Sequence, residues 1–429
     1  MWETAGGTRR RLAIAAATAI VAVACGGGAA TSAAVPQPTG PTIRIGVLDD
    51  TGTSTAIEGA ELRVNTDLAV SEINESGGIN GRALVPVYLD PRGDAARAIG
   101  MAQQLVQQQH VDVLVGGILG PECLGIQNVA LRLQTVYLPS VGCPPEDFTG
   151  KQCNAYSFRV SPTAGQQAFP LSRYIVNTYG KKWMVVYPDD ASGQSLANAY
   201  ALGLRTAGGE LTRRIAIPPN QTSVTSYIAG IPTNGSIAGV IETQTGVDLL
   251  RGLTAIQQLT TGKKMPVVGV FGKERWEGTY PDVANGSLAA TNALSRSAND
   301  NQFDLDYHDA FRRQLAREDP SLLSTLGPVD RAVPGVTGYQ AYTTMTALKL
   351  GMIVSGFTGR AKPARLITAL ENLKAGQGAD FPGGAFAMRK SDHQGTMTTY
   401  IARVNGQIES VVATLPPNGL PAIGNCRVR

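Results

Sequence analysis

A strand–helix rhythm runs through this chain, breaks near residue 160 and starts again. Thr42-Ile-Arg-Ile-Gly-Val-Leu48 reads as a buried strand. Glu58 to Ile73 follows, with Leu62, Leu68, Ala69 and Ile73 on one helical face. Turn residues Asn74 to Gly78 stop that helix. The alternation continues through a strand at Leu84 to Leu89, a helix at Asp94 to Gln109 and a strand at Val111 to Val115. A helix at Ile126 to Leu133 and a strand at Val136 to Leu138 complete the first run. Strands that alternate with amphipathic helices predict a parallel sheet covered on both faces. After Arg159 to Pro162 the same order returns. Helices are expected at 168–179, 195–207 and 249–259, and strands at 183–187, 215–217, 237–241 and 267–270. The last third carries helical stretches at 307–317, 338–354 and 364–373. It closes with a strand at Thr398 to Val404, an Asn405-Gly406 turn and a further strand. The chain is therefore expected to form two α/β units.

The first forty residues do not share this rhythm. Arg9-Arg10-Arg11 precedes an uncharged run from Leu12 to Ala24 that stops at Cys25. A basic patch, a short apolar stretch and small residues predict an export signal over 1–24, since the run is too short to span a bilayer. Residues 25–41, rich in Gly, Ala, Thr, Ser and Pro, read as a flexible tether. Hydrophobic residues make up 43% of the chain and charged ones 16%, which excludes a disordered protein. The net charge of +4 over 429 residues gives no basis for nucleic-acid binding.

Beyond Cys25 four cysteines remain: Cys123, Cys143, Cys153 and Cys426. An even number in an exported chain favours disulfides, and three pairings are possible. The short loop between Cys143 and Cys153 makes that pair the expected one. No Cys-x-x-Cys is present, so neither a zinc ribbon nor a dithiol redox motif is indicated, and no metal or cofactor is expected. His110, His308 and His393 are scattered, with no His-Glu-x-x-His, no Gly-x-Ser-x-Gly and no phosphate loop, so nothing points to an enzyme.

Several segments together resemble one family. They are Ile43-Arg-Ile-Gly-Val-Leu48, Ala69-Val-Ser-Glu-Ile-Asn-Glu-Ser-Gly-Gly-Ile-Asn-Gly-Arg82 and Asp112-Val-Leu-Val-Gly-Gly117. Tyr156-Ser-Phe-Arg-Val-Ser-Pro162, Tyr187-Pro-Asp-Asp190, Ala207-Gly-Gly209 and Lys390-Ser-Asp-His-Gln394 follow in order. In this order and spacing, from about Thr42 to Val412, the chain resembles the periplasmic solute-binding proteins of the branched-chain amino acid (Leu/Ile/Val) type. That group also takes in receptors for amides and urea. The resemblance implies an α/β, type I periplasmic-binding-protein fold. Its two doubly wound parallel-sheet lobes are joined by a three-segment hinge. Lobe 1 would hold residues 42–160 with about 290–380, and lobe 2 residues 161–289 with about 381–429. The implied partners are a small polar solute trapped between closing lobes and the membrane permease of an ABC importer, with the receptor a monomer. Ala22-Val23-Ala24-Cys25 resembles a lipobox, which implies a lipid on Cys25 and a membrane anchor.

Ligands of open α/β sheets bind beyond the carboxyl ends of the strands. In the first unit this singles out Ser54 and Thr55, then Leu119, Gly120 and Glu122, and the resemblance implies ligand contacts at Ser140, Gly142 and Cys143 by their position. The family often places a Ser-rich turn where this chain has Gly120-Pro121, and Pro121 has no N–H to offer a carboxylate. That departure counts against an ordinary α-amino acid ligand. In the second unit the matching positions are Ser192, Gln244, Lys273 and Glu274. Glu274 lies near a family acid that binds an ammonium, and Lys273 beside it would favour an anion instead. The ligand therefore stays open among an amino acid, an amide or urea, and a small carboxylate. A rival reading has the same fold serve as a ligand sensor or structural surface lipoprotein with no transport role.

Overall fold

The computed structural model describes residues 37–51, 55–140, 143, 147–218, 221–244, 246–261, 265–269, 282–295, 298, 301–318, 320–326, 328–330, 332–406, 408–417 and 426. The expected signal segment, Cys25 and the expected tether as far as Pro36 lie outside them, whereas Gly40 and Pro41, expected at the end of the tether, instead open the first strand because Gly40 pairs with Arg82. Strand β1 (Gly40–Leu48) runs down the middle of a first sheet. Its Ile43, Ile45, Val47 and Leu48 are fully buried, which a strand needs when helices cover both faces. Helix α1 (Ala56–Glu75) leads to β2 (Arg82–Leu89), and α2 (Ala95–Gln107) to β3 (Val113–Gly116). Helix α3 (Gly120–Arg132) then leads to β4 (Tyr137–Leu138). The order is β2-β1-β3-β4, all parallel. Ile43, Ile45 and Val47 pack with Leu62 and Val64 of α1. Leu48 and Leu114 pack on the other face with Ala102 and Leu105 of α2 and Ile126 and Val129 of α3. The Asp94 carboxylate caps α2 by accepting from the Arg97 N–H at 2.9 Å.

The second run supplies α4 (Ala164–Thr178), β5 (Lys182–Pro188), α5 (Ala191–Thr206), β6 (Glu210–Ile217) and the short α6 (Thr225–Ile228). It continues with β7 (Gly239–Glu242), α7 (Gly246–Leu259), β8 (Val267–Gly269) and β9 (Leu288–Thr291). These five strands are parallel. Trp183, Val185 and Ile241 pack under α4 and α5 on one face. Met184, Val186 and Ile215 pack with Ile256 of α7 on the other.

The last third is shared between the two bodies. Helices α8 (Gln302–Leu315), α9 (Pro320–Leu326), α10 (Val336–Ser355) and α11 (Pro363–Glu371) turn Phe311, Leu326, Met345 and Leu366 into the first core. A small antiparallel sheet of β10 (Lys374–Ala375), β11 (Phe386–Arg389) and β12 (Gln394–Met397) follows. Then β13 (Thr399–Asn405) and β14 (Ile408–Leu415) extend the second sheet to the order β14-β13-β9-β8-β7-β5-β6, with β13 antiparallel to both neighbours. The chain therefore passes between cores at three places among the described residues. Val160 is in the first core and Ala168 in the second; Ala290 is in the second and Ala293 in the first; Met397 is in the first and Ile401 in the second. Residues 381–397, expected with the second lobe, instead place Phe381, Phe386, Met388 and Met397 in the first core. Bonds to α10 account for that allegiance: Thr346 Oγ1 donates to the Asp380 carbonyl at 2.6 Å, and the Gly383 N–H to the Tyr339 hydroxyl at 3.0 Å.

The expected Cys143–Cys153 bridge is not formed. Cys143 pairs with Cys123, with 5.6 Å between Cα atoms, and Cys153 pairs with Cys426 at 5.8 Å. Nearness in sequence is the weaker guide here. Val115 of β3 lies beside Leu138 of β4, so the first turn of α3 and the loop after β4 emerge side by side. Between Cys143 and Cys153 the chain turns through 147–151, seating Phe148 in the core and donating the Gln127 amide to the Phe148 carbonyl at 3.0 Å. Peptide mapping without reduction should recover Cys123–Cys143 and Cys153–Cys426. The double variant Cys123→Ala/Cys143→Ala should lose about 3 kcal/mol of stability in a denaturant titration.

Candidate functional site

The carboxyl ends of the first sheet gather the chemistry. Leu48 of β1 pairs with Gly116 of β3, so Asp49-Asp50 and Gly116-Gly117 leave the sheet together. Gly116 has φ +97°, and a Cβ there would lie 2.2 Å from the Leu48 carbonyl, so no larger residue fits. The Tyr137 hydroxyl ties down this turn by donating to the Gly116 carbonyl at 2.9 Å. Leu119 is the N-cap of α3, and Gly120 opens the helix. Glu122 in the first turn is wholly buried and folds back on the helix start. Its Oε2 accepts from the N–H of Leu119 at 3.0 Å and of Ile118 at 3.3 Å.

Two aspartates lie beside it. Asp50 Oδ1 accepts from the Gly93 N–H at 2.7 Å. Asp49 holds the Arg63 guanidinium at 2.5 Å, and that cation lies 3.5 Å over the Tyr88 ring. Both aspartates are fully buried. Asp49 Oδ1, Asp50 Oδ2 and Glu122 Oε1 have no polar partner among the described residues. Burial raises the Asp49 carboxyl to about 6 against the pull of Arg63. Burial first, and the Asp50 carboxyl next, raise Glu122 to about 7.

The other expected positions of this edge are close at hand. Thr55, five residues after Asp50, is the N-cap of α1, and its carbonyl accepts from the Gly59 N–H at 2.8 Å. Ser140 is buried just past β4. Cys143 is bonded to Cys123, and its carbonyl accepts from Arg159 Nη1. Its sulfur is therefore unavailable to a ligand. Ser54 and Gly142 lie outside the described residues.

The second sheet presents a smaller set. Val186 of β5 pairs with Glu242 of β7, so their carboxyl ends are neighbours. Ser192 is exposed in the first turn of α5, beside the Asp190 carboxylate that caps that helix through the Gly193 N–H at 2.7 Å. Gln244 is buried, and neither end of its amide has a partner among the described residues. Its backbone N–H donates to Glu242 Oε1 at 2.9 Å, while Glu242 Oε2 has no partner among the described residues. Both side chains lie under α7 at Gly252, where a Cβ would come within 2.7 Å of Glu242 Oε2 and 2.9 Å of Gln244 Oε1. Burial raises Glu242 to about 8, so it is largely neutral at pH 7. Lys273 and Glu274 lie outside the described residues.

Sequence reasoning passed over Asp49, Asp50 and Glu242. The position of Asp49-Asp50 directly after a buried strand was the available signal. Among the described residues no group of His, Cys, Asp and Glu is arranged to hold a metal ion, and no helix is long and apolar enough to cross a membrane.

Two α/β bodies, three chain crossings and polar groups massed at the carboxyl ends of both sheets define a two-lobed binding-protein architecture. The family described as Periplasmic binding protein matches residues 42–408, and the chain belongs to it. A Leu/Ile/Val-binding protein homolog 6 of Brucella abortus is 25% identical over 177 residues, 41% of this chain and 44% of that protein, so the match spans less than half of the relative's length. The chemotactic signal transduction system substrate-binding protein BasB of Halobacterium salinarum is 23% identical over 342 residues, 75% of this chain and 71% of its own. An ABC transporter substrate-binding protein from Sphaerobacter thermophilus has the same fold, with a TM-score of 0.76 over 90% of this chain and 99% of that one, at 20% identity.

The buried acids set a direction for pH. A carboxyl raised in the fold contributes stability that is complete below its unfolded value and is lost as pH rises through the folded one. For Glu242 that window runs from 4.5 to about 8. Wild-type melting temperature should therefore fall between pH 5 and 9. Glu242→Gln should fall less, by a few degrees, in melts by circular dichroism. An unchanged slope would reject a buried neutral Glu242.

Proposed function

We propose that this protein is an extracytoplasmic receptor of an ABC importer that traps a small polar solute between two closing lobes and catalyses no reaction. Residues 42–160 with about 293–397 would make the first lobe and 161–291 with 399–415 the second. The observation that carries this reading is the pairing of family membership with buried, unpartnered polar atoms at the carboxyl edges of both sheets. A buried polar atom left unpaired costs about 1–3 kcal/mol. A solute that satisfies such atoms on both lobes binds the closed form better than the open one, and that difference drives closure. The names of the relatives support amino acids and their analogues as the first solutes to try. The receptor would act as a monomer beside a membrane permease. The export signal over 1–24 and the lipobox-like Ala22-Val23-Ala24-Cys25 support anchoring by a lipid on Cys25.

BasB carries a chemotactic name, and that likeness favours a second reading, in which the same cleft reports its solute to a signalling partner. Binding is common to both readings, so it is tested first. In a thermal-shift panel of amino acids, amides, urea, small carboxylates and cationic amines, a solute at 100 times its Kd should add about 2.7 kcal/mol of stability. Stabilisation by none of these classes would overturn the receptor reading, and turnover of the bound solute would overturn its non-catalytic half. Cys25→Ser should move the protein from the membrane to the soluble fraction on cell fractionation. Protein that stays membrane-bound would reject the lipid anchor.

A further inference from the structure

The first turn of α3 already holds a carboxylate, and it is the protein's own. Helix N-termini offer free N–H groups and partial positive charge to anions. Here the N–H groups of Ile118 and Leu119 are spent on Glu122 Oε2, at 3.3 and 3.0 Å. Pro121, the next residue but one, has no N–H at all. Glu122 is a wholly buried side chain aimed at this helix start, and its Oε1 has no partner among the described residues. Asp50 Oδ2 and Asp49 Oδ1 add two more buried acceptors without a hydrogen-bond partner among the described residues at the same sheet edge. The edge is therefore rich in acceptors, and its obvious donors are occupied. A solute carboxylate arriving there would meet like charge and find those donors taken.

We propose that Glu122 is a specificity determinant. It fills the anion seat of α3 from within the chain, so the first lobe refuses a solute's carboxylate and takes an uncharged or cationic end rich in N–H groups, such as an amide, a ureido group or an amidinium. This rests on the solute-receptor reading and narrows it. Glu122 acts here as a positioning residue for charge and donors, with no reacting group involved.

The test is isothermal titration of the full chain, as wild type, Glu122→Ala, Glu122→Ser and Glu122→Gln, with acetate, benzoate, acetamide, urea and acetamidine. Wild type should bind no carboxylate and should favour the nitrogen-rich probes. Glu122→Ala and Glu122→Ser vacate the seat, so acetate should bind about tenfold tighter or more, the scale of an anion restored to a helix N-terminus. Glu122→Gln keeps the side chain's size and removes its charge, so its gain for acetate should be smaller but measurable. If the shortened variants fail to fold, the Gln variant decides. Equal carboxylate affinity across wild type and the folded variants overturns the proposal, as does tight carboxylate binding by wild type. A nitrogen-rich solute that binds every variant alike keeps the receptor reading and sinks the role of Glu122. Acetate binding gained by the Ala or Ser variant, with no probe bound by wild type, does the reverse.

Discussion

A buried guanidinium holds the first crossing between the two bodies. Arg159 is 5% exposed, and its fork is spread over backbone carbonyls. Nη1 donates to the Cys143 carbonyl, Nη2 to Pro162 at 3.1 Å and Nε to Ser161 at 3.3 Å. Its own backbone joins the third crossing. The Arg159 N–H donates to His393 at 2.9 Å, and its carbonyl accepts from Gly395 at 2.6 Å. Gln394 closes the other side by donating Nε2 to the Ser161 carbonyl at 2.9 Å. The Arg159 guanidinium thus fixes the loop that follows β4 and the departure toward α4, and its backbone with Gln394 ties the β11–β12 hairpin to them. Arginine suits this role because its planar fork stays charged and serves several acceptors at once. The disulfide to Cys123 then carries that order on to the first turn of α3.

The electrostatics of the two sheet edges follow from where the chain buries its acids. A carboxylate under a helix start is stabilised by N–H groups and destabilised by the loss of water. At Glu122 desolvation prevails and the neighbouring Asp50 adds to it, so the residue sits near neutrality in its titration. At Glu242 two backbone N–H groups pull downward, yet complete burial outweighs them. Among the described residues neither acid is held in a close ion pair as Asp49 is, with Arg63 at 2.5 Å. These are groups whose charge answers to whatever comes to rest against them.

Much of this was legible in the residues. Ile43 to Leu48, apolar but for Arg44 and Gly46, and the apolar Trp183 to Tyr187 are of strand length, and both lie in sheets. Asp94 announced the start of α2, and Asn405-Gly406 the β13–β14 turn. Other elements were hidden for physical reasons. Leu288-Ala-Ala-Thr291 is too short and small-sided to read as a strand, and it is one because β8 and β13 pair with it on either side. Helix α3 begins at Gly120, six residues before the apolar periodicity is evident, because Glu122 caps it from inside. The β11–β12 hairpin turns at His393 with φ +53°, where glycine would have been the visible cue. At the site, the sequence places Gln244 and Glu122 among the ligand-binding positions. That Glu122 spends its charge on its own helix, and that Gln244 lies beneath Gly252, depends on packing between segments far apart in sequence.

The two disulfides impose an order in time. Cys123 and Cys143 are 20 residues apart and can meet as soon as β3, α3 and β4 are delivered. Cys153 must wait for Cys426, 273 residues downstream. During that interval Cys153 is a lone thiol beside two nearer cysteines. Early closure of the first bridge removes both as wrong partners. The local bridge therefore protects the distant one, and an oxidant that acts before α3 is seated would trap the chain in the Cys143–Cys153 pairing that the finished molecule avoids.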